Sequence, residues 1–194
     1  MRLLQPITED EMIAVFLKTE AASQRFGKDI AALLERDGND RRVVDTPDLS
    51  SAEENACRRR LLGGYRAYVL DELPEGASWR RALLSREEVA QVRYIDYSYW
   101  NEISGGSRLP IDAVEVIRAG REVYGQSTGG FLHMAQALRE GARFPELIVV
   151  GASPGAGLTL LEGHVRLTAY MLAPECLPEE LEVIAGFAPE FSQG

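Results

Sequence analysis

Leu147-Ile148-Val149-Val150-Gly151-Ala152-Ser153-Pro154-Gly155-Ala156-Gly157-Leu158-Thr159-Leu160-Leu161-Glu162-Gly163-His164-Val165-Arg166-Leu167-Thr168-Ala169-Tyr170 is the stretch that decides the fold. Two short apolar runs, 147–150 and 158–161, flank a connection of Gly, Ala, Ser and Pro. Each run is too short for a helix and rich in β-formers, so the pair predicts an antiparallel hairpin with Pro154 in its exposed connection. The second strand stops at Gly163, and residues 164–173 follow as a helix ended by Pro174. A strand that turns directly into a helix leaves the first helical N–H groups without intrahelical partners, the geometry that receives phosphate or carboxylate. Arg166 falls in that first turn, where its fork can add charge-assisted bonds to the same anion.

Working outward, residues 92–97 are β-prone, and 111–118 form a helix closed by Gly120. Phe131, Met134, Ala135 and Leu138 share one face of another helix, closed by Gly141, and residues 181–187 read as a final strand. The first ninety residues read as helical. Thr8-Glu9-Asp10-Glu11 has capping-box spacing for a helix over 8–22, and Phe26, Ile30, Leu33 and Leu34 mark a second one ended by Gly38. Ser50 with Glu53 caps a third, which weakens at Gly63-Gly64 and carries Arg58-Arg59-Arg60, read as a solvated face pairing with local acids, or alternatively as a contact for nucleic acid. Leu73-Pro74-Glu75-Gly76 is a turn, followed by a short helix over 79–84 and a Ser85-x-x-Glu88 cap. These elements predict an α+β chain, with a helical N-terminal region over 1–88 and an α/β domain over 89–194. Phe16, Leu17, Phe26 and Leu33 need more burial than two short helices provide, so part of the first region is expected to pack on the second. Homodimerisation through the same helices is the alternative way to cover them.

The 194 residues can bury a sizeable core, and 45% apolar with 26% charged residues are globular averages. Lys plus Arg total 21 against 30 Asp plus Glu, a net charge of -9 that opposes binding to nucleic acid while leaving room for a local anion pocket. The two cysteines, Cys57 and Cys176, belong to no Cys/His cluster, so a zinc site of the usual kind has no ligand set. No apolar run reaches membrane-spanning length, and no secretory leader is evident. A cytoplasmic protein is expected.

The order helix, Gly141, Pro145, apolar strand, hairpin, Gly163-His164-Val165-Arg166 and Ala-containing helix resembles the ParB/sulfiredoxin superfamily over roughly residues 92–188. That resemblance implies a fold in which the Gly-x-x-Arg turn meets a nucleotide or a phosphorylated metabolite. It makes Gly163 and Arg166 phosphate-contacting positions, and it extends to transfer or hydrolysis of phosphate. Two departures narrow it. His164 stands where sulfiredoxins place their reactive Cys, which argues against sulfinic acid reduction. His-Val-Arg replaces the Glu-Arg-Arg of ParB-type members and no long basic helix-turn-helix region follows, which argues against chromosome partitioning. A nuclease activity, another branch of the superfamily, is opposed by the acidic balance.

His164 can serve as a base, as a phosphate donor or simply as a capping group, and Glu162 is the candidate carboxylate beside it. Glu162 or Asp96 can supply a ligand for the Mg2+ that accompanies a nucleotide in phosphoryl transfer. Ser107 and Arg108 of the Gly105-Gly106 loop, with Ser127 and Thr128 before Gly129-Gly130, are further candidate ligand-binding residues; their other reading is that of capping hydroxyls in ordinary connections. Tyr94, Tyr97, Tyr99 and Trp100 can stack a base or fill the core. The alternative to a small-ligand protein is a non-catalytic interaction protein that keeps the fold as a scaffold.

Overall fold

The computed structural model describes residues 1–23 and 25–191. Its elements are β1 (Arg2–Ile7), α1 (Glu9–Ala21), α2 (Gly27–Arg36), α3 (Arg42–Asp45), α4 (Ala52–Glu72), β2 (Ser78–Ser85), α5 (Arg86–Gln91), β3 (Arg93–Tyr94), α6 (Ser98–Ile103), α7 (Pro110–Arg118), α8 (Gly129–Arg139), β4 (Leu147–Gly151), β5 (Thr159–Glu162), α9 (His164–Leu172) and β6 (Glu180–Phe187). The class is α+β. The strands form one six-stranded sheet in the order β1-β2-β6-β4-β5-β3. Two compact units result, one of Met1–Gln5 with the chain from Arg80 onward, the other of Pro6–Trp79. The last residues of the 89–194 domain, 192–194, lie outside the described residues.

In the first unit the hairpin forms as its apolar runs require. β4 and β5 pair antiparallel, with an irregularity between Ile148 and Val149, and β4 pairs in parallel with β6 on its other side. Pro154 is exposed in the connection. β3 runs parallel to β5, matching Arg93 to Thr159 and Tyr94 to Leu160. Leu147, Val149, Leu160, Val183 and Ala185 point into one core with Ala113, Ile117, Phe131, Ala135, Leu138 and Leu167 from α7, α8 and α9. Helix ends follow residue chemistry, since Gly120 and Gly141 take the positive φ that closes α7 and α8. The expected capping box at Ser85 is formed in full with Glu88.

The second unit is helical. Thr8 caps α1 by accepting from the Glu11 amide at 3.1 Å, and Met12, Ile13, Phe16 and Leu17 are fully buried. The cap of α4 is Ser51, which accepts from the Glu54 amide at 3.2 Å, one residue later than expected. Helix α4 continues through Gly63-Gly64 and kinks at Arg66, whose φ of -142° and ψ of 54° are not helical.

Three sequence expectations are corrected. Residues 2–7 and 78–85 are strands, so the first ninety residues are not all helical, and the helix expected over 79–84 is β2. Leu, Ala and Arg favour helix locally, but sheet pairing across about eighty residues of chain overrides that preference. The run 92–97 contributes only Arg93 and Tyr94 to the sheet before α6 begins. Arg58 is not on a solvated face. It is fully buried, and its guanidinium donates to the carbonyls of Val43 and Asp48 and to Asn55, which ties the polar loop before α4 to that helix. Arg59 does behave as a surface residue and pairs with Glu9 and Asp10.

Candidate functional site

The turn between β5 and α9 is built around Gly163. Its φ of 107° and ψ of 21° lie in the left-handed region, and a Cβ there would stand 2.5 Å from Leu147 Cδ2 and 3.2 Å from Arg166 Nη2. Only glycine meets both demands without displacing its neighbours. Gly163 is the N-cap of α9 and supplies no side-chain cap, and α9 has no acidic residue in its first turn.

Arg166 is buried and committed to the fold. Nη1 donates to the carbonyls of Pro145 at 2.9 Å and Glu146 at 3.0 Å, and Nη2 donates to Glu162 Oε1 at 2.6 Å. The segment that provides these carbonyls is itself held, because Arg81 on β2 donates to Glu146 at 2.5 Å and to Glu182 at 3.1 Å. Burial opposes ionisation of Glu146, but the Arg81 hydrogen bond and the fields of Arg81 and Arg166 outweigh it, so the Glu146 pKa lies below the ordinary carboxylate range.

His164, the first residue of α9, is buried against aromatic rings. It stacks on Trp100 at 4.7 Å and 18° and on Tyr94 at 5.9 Å and 20°, while Trp100 meets Phe131 edge-on at 6.1 Å. The Tyr94 hydroxyl pairs with Thr168, which donates to the His164 carbonyl at 2.7 Å. Burial drives the Tyr94 pKa well above the ordinary phenol range despite that hydrogen bond. Of the aromatic cluster, Tyr94 and Trp100 therefore pack inward, whereas Tyr97 is 64% exposed.

Trp100 brings two helix N-termini together, since Phe131 is the third residue of α8 and His164 the first of α9. At the opposite ends Arg139, the last residue of α8, donates from Nη2 to the carbonyl of Leu172, the last of α9, at 2.9 Å. The two helices thus run side by side in the same direction. Arg139 complements the negative C-terminal ends, but neither first turn holds an acid and neither N-cap residue provides a side-chain hydrogen bond.

The remaining candidates sit in loops that satisfy themselves. Ser107 Oγ donates to the Ser104 carbonyl at 3.0 Å and accepts from the Leu109 amide. Buried Arg108 takes a φ of 61° and its carbonyl accepts from the Tyr94 amide. Ser127 Oγ accepts from the Gly129 amide, and buried Thr128 donates to the Arg121 carbonyl at 3.0 Å, so both act as turn groups beside the N-terminus of α8. The donor set for Mg2+ is a poor fit. Glu162 is paired with Arg166, Asp96 accepts from Asn101 at 2.7 Å, and no group of three metal-ligating side chains occurs among the described residues.

Sequence reasoning reached Gly163, His164, Arg166 and Glu162, but it missed Arg81 with Glu146 and the alignment of α8 with α9. No local signal marks contacts between residues so far apart in the chain. Compared with known proteins, the chain matches no family model, no curated protein and no solved structure. Among the described residues no helix is long and apolar enough to cross a membrane.

Proposed function

We propose that this protein binds a small anionic ligand, a nucleotide or phosphorylated metabolite, at the N-terminus of α9 beside that of α8. The observation that carries the reading is the pairing of two co-directional helices whose positive ends meet at Trp100 with no acid in the first turn of either. Aligned helix dipoles repel one another, and an anion at their N-termini relieves that repulsion while accepting from the first N–H groups. His164 borders this position, and the resemblance to the ParB/sulfiredoxin superfamily implies a phosphate at the same turn. Transfer or hydrolysis through His164 and Glu162 belongs to that resemblance, and no step through a magnesium ion is derived from these carboxylates.

The test is a titration of the protein with inorganic phosphate, ATP, CTP and GTP, with and without Mg2+, followed by thermal shift and calorimetry. A bound ligand raises the melting temperature by mass action. Val165→Glu separates binding from folding, because Val165 is 38% exposed at the second helical position. A carboxylate there complements the dipole by about 0.3 to 1 kcal/mol and should raise the melting temperature of the free protein by about 1 to 4 °C. The same charge should weaken phosphate binding by roughly tenfold. A wild type that binds none of these anions sinks the proposal.

A second reading, a non-catalytic interaction protein, is favoured by the engagement of Ser107, Ser127, Thr128 and Arg166 within their own surroundings. It expects no shift with any nucleotide.

A further inference from the structure

Glu162 stands one residue before the Gly163 N-cap, and its Oε1 lies 2.6 Å from Arg166 Nη2. That same nitrogen lies 3.2 Å from the point where a Cβ on Gly163 would be. The carboxylate and the guanidinium are both largely buried, with side-chain exposures of 14% and 8%. An internal carboxylate is therefore held against Arg166 beside the positive end of α9, the surroundings that a ligand phosphate would seek.

From this geometry we infer that Glu162 is an autoinhibitory anion, an internal competitor that the ligand must displace from Arg166. The inference rests on the anion-binding reading and adds its regulation. The two halves of the guanidinium have separate duties. Nη1 stays on the carbonyls of Pro145 and Glu146, which keeps Arg166 in place, while Nη2 exchanges Glu162 for the ligand anion. Two negative groups competing for one buried nitrogen repel each other, so a ligand enters at full strength only when Glu162 withdraws. The consequence has an unusual sign: removing a charged residue from the site strengthens binding.

Glu162→Gln is the suitable variant, because the amide oxygen keeps a hydrogen bond to Nη2 at unchanged size while the negative charge is lost. Inorganic phosphate and, separately, ATP are titrated calorimetrically into wild type, Glu162→Gln, Arg166→Gln and the double variant, with folding verified by circular dichroism. Tightening of about tenfold or more in Glu162→Gln, abolished when Arg166→Gln is added, is the expected result. Equal or weaker binding by a folded Glu162→Gln variant, with a wild type that binds, overturns the competitor role and leaves the anion-binding reading standing. Tightening that survives Arg166→Gln also overturns it, since relief would then not pass through Arg166. No binding by either wild type or Glu162→Gln overturns both.

Discussion

Arg166 illustrates how one residue type carries two meanings that only neighbours distinguish. At the third position of a helix preceded by glycine it has the spacing of an anion-binding arginine, yet its three hydrogen bonds go to Glu162 and to the carbonyls of Pro145 and Glu146. Arg166→Ala should therefore lower stability without any ligand by about 3 kcal/mol, the cost of leaving a buried carboxylate and two carbonyls without their donor. For a chain of this length that is a fall in melting temperature of about 6 to 12 °C, measurable by calorimetry. An unchanged melting temperature would show that the guanidinium does not hold the turn. Gly163→Ala is a second residue-scale case. The added Cβ meets Leu147 Cδ2 at 2.5 Å and the backbone is left-handed, so a loss of about 1 to 3 kcal/mol is expected in chemical denaturation.

Among the elements, α8, α9 and the β4–β5 hairpin were legible because each writes its own signal. Apolar positions recur at helical spacing in α8, glycine stops it, and the hairpin strands are continuous apolar runs bounded by Gly and Pro. β1 and β2 were not legible. Apart from Trp79, Ser78–Ser85 consists of Ser, Arg, Ala and Leu, which carry little strand preference, and its burial follows no strict alternation. Its cap was nevertheless readable, because Ser85 and Glu88 interact over one helical turn. Ser85→Ala should cost about 1 kcal/mol through loss of the bond to the Glu88 amide, tested by urea denaturation against wild type. No change would mean that α5 gains nothing from its capping box.

On the scale of the molecule, burial and pairing shape the dependence of stability on pH. Glu146 has a depressed folded pKa, so its contribution is complete above its unfolded pKa and is lost as pH falls through the folded value. Tyr94 has a raised folded pKa, because burial favours the neutral phenol; its contribution is complete below its unfolded pKa near 10 and is lost as pH rises toward the folded value. Melting temperature should thus be flat near neutrality and fall in acid and in alkali. Tyr94→Phe should flatten the alkaline limb while lowering neutral stability by about 1 kcal/mol through the lost bond to Thr168. An alkaline limb identical to that of wild type would exclude Tyr94 as its source. The sequence alone determined the α+β class, the hairpin, the helix stops and the glycine turn into α9, because hydrophobic period, turn chemistry and capping act over a few residues. Only the tertiary structure decided that β1 and β2 join the sheet, that α8 and α9 run the same way with their N-termini at Trp100, and that Arg166 is held by Glu162 and a segment pinned from Arg81. Those outcomes depend on which distant surfaces bury each other and which charges are thereby removed from water, and a local run of residues does not encode that choice.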